Sequence, residues 1–426
     1  MTSALVIITS AFPFDGSSDF LEDEIEWLAA AFDSVTLVPL VPTGQRLPVP
    51  ANVDVDLRVA ARLTTRTKRV TSAFRFRQSR ALLRSALRSG GFPPTAGSWL
   101  RLLAAIGIAE QVRRWGLDKT GLRPDVVLNV WAGPAVIGVA RSGHLTVTRA
   151  HGGDLYADRH LGDYMPLQRE IVAAADAIHP VSEDGVAYIR RRYPEAAPRT
   201  SARRLGVRGA ATVTPASTDG RLRIVSCSAL LQVKRPSFLA LIIDALGRRH
   251  TDVQWDHFGS GPLEPELRRA VAAFGPTVQC SLHGRVPNRL VIEHYERHPV
   301  DVFLNASSSE GVPVSMMEAM SAGIPILAPA VGGIHEIVRP DNGQLFSPNA
   351  EAHDVAEQLL ALHARTPPFD RGAIRASWEL QFSAATNYES FAAELLEHAH
   401  SRVGQNTASL ATRAAGKKHA QREGAA

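Results

Sequence analysis

A chain of 426 residues is too long for one ordinary core and predicts two α/β domains of about 200 residues each. Hydrophobic residues make up 45% and charged residues 21%, which excludes a disordered or membrane-filling composition. The net charge of +5 is unevenly spread, and the two cysteines, Cys227 and Cys280, exclude a disulfide framework or a cysteine-based zinc cluster.

Short apolar runs alternate with helical patterns along the whole chain. Leu5–Thr9 reads as a first buried strand, since no basic residue precedes it and no cleavage site follows. A loop rich in Pro, Gly and Ser leads to a helix around Phe20–Phe32 and a strand at Val35–Leu40. Asp125–Asn129, Leu145–Arg149 and Ala177–Val181 are the further strands of this half. A second series has strands at Leu222–Ser226, Val253–Phe258, Val278–His283, Val300–Asn305 and Ile324–Ala328. Helices between them are expected at Ser237–Arg248, Pro265–Phe274, Asn288–His298 and Val314–Ala322. The alternation predicts parallel sheets covered on both faces. Arg204–Arg221, with three glycines and Pro215, reads as the linker.

The predicted division is therefore a first domain over 1–206, a second over 207–373 and a C-terminal helical segment over 374–401 that packs back on the first domain. A polar tail over 402–426 is expected to be disordered. The protein is expected to be cytoplasmic, because no run is long and apolar enough to span a bilayer.

Between Leu57 and Ala109 there is no Asp or Glu, while eleven Arg and Lys residues fall in the same window. They are interleaved with Val70, Phe74, Phe76, Leu82, Leu83 and Leu87. Residues 57–109 read equally as a segment lying on an anionic membrane or as a solvated basic helical hairpin. No nucleic-acid module or aromatic stacking platform accompanies the charge, so nucleic acid is not expected as a partner.

The chemistry concentrates in SSSEGVPVSMMEAMSAGIPILAPAVGGIHEI, residues 307–337. Glu310 follows a buried strand, Gly311, Val312 and Pro313 make a turn, and a helix starts near Val314 with Glu318 one turn inside. A helix N-terminus offers free N–H groups and a positive dipole end to a diphosphate. Two flanking carboxylates suit vicinal hydroxyls. Taken singly, Glu310 could equally cap the helix and Glu318 be a solvated helix residue.

The string resembles the signature of glycosyltransferase family 4, in which two glutamates separated by seven residues precede a small-residue run. The resemblance covers most of the chain and implies the GT-B architecture: two Rossmann-like domains facing each other across a cleft. By it, Glu310 contacts the donor sugar and Glu318 the ribose of a nucleotide-diphosphate sugar. TSAFPFDGSSDFLEDEIEWL, residues 9–28, resembles the family's first glycine-containing loop and helix, with Gly16 at the cleft. TRAHGGDLYADR, residues 148–159, resembles its histidine–glycine motif, with His151 and Asp154 at the cleft and His151 facing the reacting carbon or the sugar's primary hydroxyl. IVSCSALLQVKRPSF, residues 224–238, carries Lys234 where the family has the lysine that neutralises the donor phosphates. An arginine found earlier in that loop in many members is replaced here by Ser228-Ala229, and Arg235 is the candidate to compensate. HFGSGPLEPEL, residues 257–267, resembles the turn on the base side of the donor pocket, with Gly259 and Gly261 allowing backbone approach.

No Asp-x-Asp stands at a strand end near these loops. Asp54 and Asp56 have the spacing but read as surface residues. The resemblance thus implies a retaining, metal-independent hexosyltransferase with no cofactor, the nucleotide sugar being its substrate. The acceptor is expected to be a saccharide, lipid-linked at the inner face of the membrane, in polysaccharide assembly. A transferase with a small soluble acceptor, and a catalytically silent sugar-nucleotide-binding scaffold, are the alternatives.

Overall fold

Apolar runs such as Leu5–Ile8, Val126–Leu128 and Ile326–Pro329 form strands that are buried on both faces. In the computed structural model, residues 3–14, 21–89, 92–116, 124–249 and 252–400 are described. Gly16 and the tail over 402–426 lie outside them. The first sheet comprises β1 (Ala4–Thr9), β2 (Ser34–Pro39), β3 (Val53–Val55), β4 (Val126–Asn129), β5 (Thr146–Ala150) and β6 (Ala177–Pro180), in the order β3-β2-β1-β4-β5-β6. The second comprises β7 (Leu222–Cys227), β8 (Val253–Phe258), β9 (Val278–Gly284), β10 (Val302–Leu304), β11 (Ile326–Pro329) and β12 (Gly343–Phe346), in the order β12-β11-β10-β7-β8-β9. Every strand pair in both sheets is parallel. Each sheet thus has the doubly wound order, with its topological switch point between its own first and fourth strands. Ligands of such sheets bind beyond the carboxyl ends of the strands at that point, β1/β4 in one sheet and β7/β10 in the other.

The chain divides into two compact units. One is residues 1–181, 185–203 and 388–426; the other is 182–184 and 204–387. The predicted C-terminal segment is therefore split. The helix Arg371–Phe382 belongs to the second unit, where Arg375 donates to the carbonyls of Ala210 and Ser321. Ser383 is extended and pairs with Val207, which ends that helix. Helix resumes over 384–400, and its Phe391, Ala392, Leu395 and Ala399 enter the core of the first unit beside Leu5, Ile7 and Leu28. The predicted linker is packed rather than free: Leu205, Val207, Ala210 and Thr214 are buried.

The basic segment folds as the helices Arg58–Arg62, Arg66–Arg75, Arg77–Ser89 and the start of Ala96–Trp115. The apolar side of the third helix is already used, since Leu82 and Ala86 sit in the first unit's core. Phe74, Phe92 and Leu100 stay exposed. Asp56 is not a surface residue; it is buried and accepts from Arg58 and from the Trp115 indole at 3.0 Å. Among the described residues no helix is long and apolar enough to cross a membrane.

A buried ion pair anchors the first unit. Arg149 on β5 and Glu24, just before the helix Ile25–Ala31, are 1% and 0% exposed at their side chains. The guanidinium donates to both carboxylate oxygens, one of them at 2.6 Å, and lies 4.1 Å from the centre of the Phe391 ring. Its Nε has no hydrogen-bond partner among the described residues.

Candidate active site

In the second unit the carboxyl ends of β7 and β10 bring two predicted residues together. Lys234 ends a single 3-10 turn, Gln232–Lys234, in the loop after β7. Glu310 lies in the loop after β10, largely buried. Lys234 Nζ donates to Glu310 Oε1 at 2.5 Å, and Ser307 Oγ donates to the same oxygen at 2.6 Å. Ser307 is held in turn, its N–H donating to Asn305 Oδ1 at 2.8 Å. The carboxylate is thereby oriented by a hydroxyl and a cation from two different loops.

Gly311 and Val312 make the turn, and Pro313 precedes the helix Val314–Ser321, whose start has no side-chain cap. First-turn N–H groups that no carbonyl or side chain takes are the donors an anion uses. Glu318 is buried on this helix and accepts from Asn288 Nδ2 at 2.6 Å. Cys227, at the end of β7, connects these groups electrostatically. Burial pushes its thiol up to about 12, the Glu318 carboxylate adds to this and Lys234 opposes it.

Beside this cluster lies a cavity of about 330 Å³, lined by Cys227, Ser228 and Ala229 after β7, Phe258, Gly259 and Ser260 after β8, and Arg285, Val286 and Val291 beyond β9. The two glycines shape it by approaching the protein's own backbone. Gly259 has φ +136°, and a Cβ there would lie 1.9 Å from the Ser228 carbonyl oxygen. A Cβ on Gly261 would lie 2.6 Å from the Leu230 oxygen. These contacts close the loop after β7 onto the loop after β8, where Ser228 N–H donates to the Phe258 carbonyl and Leu230 N–H to that of Ser260.

Arg235 takes a different course from the one expected of a phosphate ligand. It sits in the left-handed region at φ +51°, its guanidinium lies 3.9 Å from the Phe238 ring centre, and it donates to the Pro348 carbonyl at 3.2 Å. Arg285 is the cationic side chain among those that line the cavity. Sequence reasoning missed Arg285, Asn288 and Ser307; the first two lie in a loop and helix start that carry no motif of their own.

His151 and Asp154 belong to the first unit, at the carboxyl end of β5. His151 N-caps the short helix Gly152–Leu155, and its N–H donates to Asp154 Oδ1 at 2.5 Å. Asp154 Oδ2 accepts from Ala132 N–H at 2.6 Å. Its carboxylate is thus held by one N–H of its own loop and one from the loop after β4. Burial pushes it up to about 7, against those N–H donors, which pull it down. His151 Nε2 lies 3.0 Å from the Val130 carbonyl, which can only accept, so Nε2 carries the ring proton. The Trp131 ring packs 4.5 Å away and fixes the imidazole plane.

Comparison with known proteins agrees with the fold. Residues 221–365, wholly inside the second unit, match the family described as "Glycosyl transferases group 1". The putative colanic acid biosynthesis glycosyltransferase WcaL of Escherichia coli K12 is 26% identical over 268 residues, 58% of this chain and 63% of that protein. The amylovoran biosynthesis glycosyltransferase AmsK of Erwinia amylovora is 30% identical over 189 residues, 41% of this chain and 44% of that protein. The chain thus spans less than two thirds of the length of either relative. Among solved structures, the lipopolysaccharide outer core galactosyltransferase WaaB matches over 93% of this chain and 98% of its own, with a TM-score of 0.62 and 16% identity. HepE of Anabaena, solved with UDP-glucose, matches over 93% and 100%, with a TM-score of 0.58 and 14% identity. The two parallel six-stranded sheets are those of such glycosyltransferases, the architecture implied by the motifs.

Proposed function

We propose that the protein is a retaining, metal-independent glycosyltransferase of the family 4 type, transferring a hexosyl group from a nucleotide-diphosphate sugar to a saccharide acceptor in bacterial polysaccharide assembly. The observation that carries this reading is the Lys234–Glu310 pair beside the uncapped helix at Val314, with Glu318 on that helix. A cation, a helix dipole and two carboxylates make a surface for a diphosphate flanked by two diols. UDP is the nucleotide to try first, since HepE was solved with UDP-glucose and the pneumococcal O-GlcNAc transferase GtfA with UDP and GlcNAc.

In the proposed step the bond between the anomeric carbon and the β-phosphate oxygen breaks, and its electron pair stays on the phosphate. The acceptor hydroxyl forms the new bond on the same face and gives its proton to that phosphate oxygen. Lys234 and the first-turn N–H groups stabilise the charge as it develops. Glu310, oriented by Ser307, holds the sugar hydroxyls, and Glu318 those of the ribose. His151, whose Nε2 proton is directed to the Val130 carbonyl, acts in this reading as an ordering group of its own loop rather than as a base.

The acceptor is proposed to be lipid-linked, with the arginines of 58–88 and the exposed Phe74 and Phe92 resting on anionic lipid. Thermal-shift measurements with UDP, GDP, ADP and CMP test the donor site on wild type and Glu318→Ala. Stabilisation by one diphosphate, reduced in the variant, is expected. Absence of any shift at millimolar nucleotide overturns the donor-site assignment. An inverted anomeric centre in the product, read by NMR, overturns retention, and loss of activity in EDTA that Mg²⁺ or Mn²⁺ restores but Zn²⁺ does not overturns metal independence of the transfer.

A further inference from the structure

In the first unit, far from the loops just described in sequence, three side chains converge that none of the transfer chemistry uses. His179 is on β6, while Glu394 and His398 are one turn apart on the helix over 384–400. His179 Nε2 lies 4.0 Å from Glu394 Oε1, and His398 Nε2 lies 3.9 Å from the same oxygen. All three ligand atoms fall within 4.8 Å of one another. These separations are too long for hydrogen bonds, and both Nε2 atoms are buried with no hydrogen-bond partner among the described residues.

Two unpaired imidazole nitrogens aimed at one carboxylate oxygen are costly to bury. We propose that His179, Glu394 and His398 form a Zn²⁺ site that clamps the last helix onto β6.

The surroundings of His179 fit a metal ligand. Its side chain is 2% exposed. Nδ1 lies 3.2 Å from both the carbonyl oxygen and the Oγ of Ser201; in the tautomer that donates to the carbonyl, Nδ1 carries the proton and the Nε2 lone pair faces the cluster. A carbonyl partner on the other ring nitrogen is how metal-bound histidines are commonly oriented. Phe391 meets the ring edge-on, its centroid 5.6 Å away, which fixes the ring plane. Glu394 is oriented too. Arg203 donates to both of its oxygens, one at 2.7 Å, leaving the outer lone pair of Oε1 facing the histidines.

The size suits zinc. With two sides of 4.0 and 3.9 Å and the third no longer than 4.8 Å, the point equidistant from the three atoms lies no more than about 2.5 Å from each, a few tenths of an ångström beyond Zn–N and Zn–O bonds of about 2.0–2.2 Å. A shift of a few tenths of an ångström in the half-exposed His398 closes the difference. Two imidazoles and one carboxylate select a borderline cation over Ca²⁺ or Mg²⁺, and leave a fourth position for water.

The test is a titration of the full-length protein, cleared of metal with a chelator, with Co²⁺ as the visible probe and Zn²⁺ as competitor. One equivalent of Co²⁺ with strong d–d absorption, displaced by Zn²⁺, is expected. Zn²⁺ at about 100 times its dissociation constant should raise the unfolding midpoint of the first unit by about 5–10 °C. Both effects should vanish in His179→Gln and in His398→Ala, and persist in His400→Ala, whose side chain is exposed on the same helix. The His398 variant keeps the test decisive if the buried His179 variant fails to fold. Absence of saturable one-to-one binding, or binding that survives His398→Ala, overturns the proposal.

Discussion

Replacing Glu24 with Leu leaves the Arg149 guanidinium charged, 1% exposed and without its counter-ion. At an effective dielectric of about 20 and a charge separation of about 4 Å, the lost attraction is roughly 4 kcal/mol. Breaking one side of a buried pair typically costs about 3–5 kcal/mol for the same reason. Arg149→Met should cost a similar amount by stranding the Glu24 carboxylate. The double variant is the informative one. Arg149 Nε already lacks a partner, so the pair does not recover its full desolvation cost. Glu24→Leu with Arg149→Met should therefore lie within about 2 kcal/mol of wild type, the residue being the lost stacking on Phe391. Calorimetry is the assay, because the two units are expected to give separate transitions and only that of the first unit should move. For a unit of this size the single variants should lower its midpoint by roughly 10 °C. A single-variant cost below about 1 kcal/mol, or a double variant as unstable as the two singles added together, would refute the reasoning.

Lys234→Gln should lower kcat about 100- to 1000-fold, as removal of one preorganised charge stabiliser does; unchanged turnover would remove Lys234 from the site. Gly259→Ala forces a Cβ to within 1.9 Å of the Ser228 oxygen and should cost about 1–3 kcal/mol. It should also displace the cavity wall, so a variant that keeps the full nucleotide-induced thermal shift would count against the cavity as the nucleotide pocket. Burial pushes His257 down to about 4, so the unfolded chain takes up its proton first as pH falls. Its contribution is complete above about pH 6.5 and is lost between pH 6.5 and 4, to a total of about 3 kcal/mol. His257→Gln should flatten that limb of a urea-denaturation series, and an unchanged slope would contradict the assignment.

Strands were legible where the sheet buries both faces. Leu5–Thr9 is an almost continuous apolar run and Val253–Phe258 an apolar run interrupted by Gln254, Asp256 and His257, and the observed strands match both to within a residue. Val53–Val55 and Gly343–Phe346 were not legible. Both are short edge strands whose place is set by a neighbour rather than by their own pattern. The glutamates and Lys234 could be picked out because a helix start and a glycine turn are local features. Their partnership across loops 76 residues apart could not, nor could that of Asn288 with Glu318. Asp154 has a local explanation that spacing alone leaves open, since a carboxylate three residues after a helix-capping residue closes a reciprocal cap. Burial of Asp56 was invisible for the opposite reason, because the indole that covers it comes from Trp115, far along the chain.

The first unit begins with β1 yet needs residues 388–400, which follow all of the second. During synthesis the second unit leaves the ribosome whole while the first still lacks its closing helix. Until then Leu5, Ile7 and Leu28 lack the cover of Phe391 and Leu395, and Arg149 waits without its aromatic neighbour. A nascent chain halted near residue 387 should present this unfinished face to chaperones. Chains truncated there should aggregate through the first unit even though both six-stranded sheets are encoded in full.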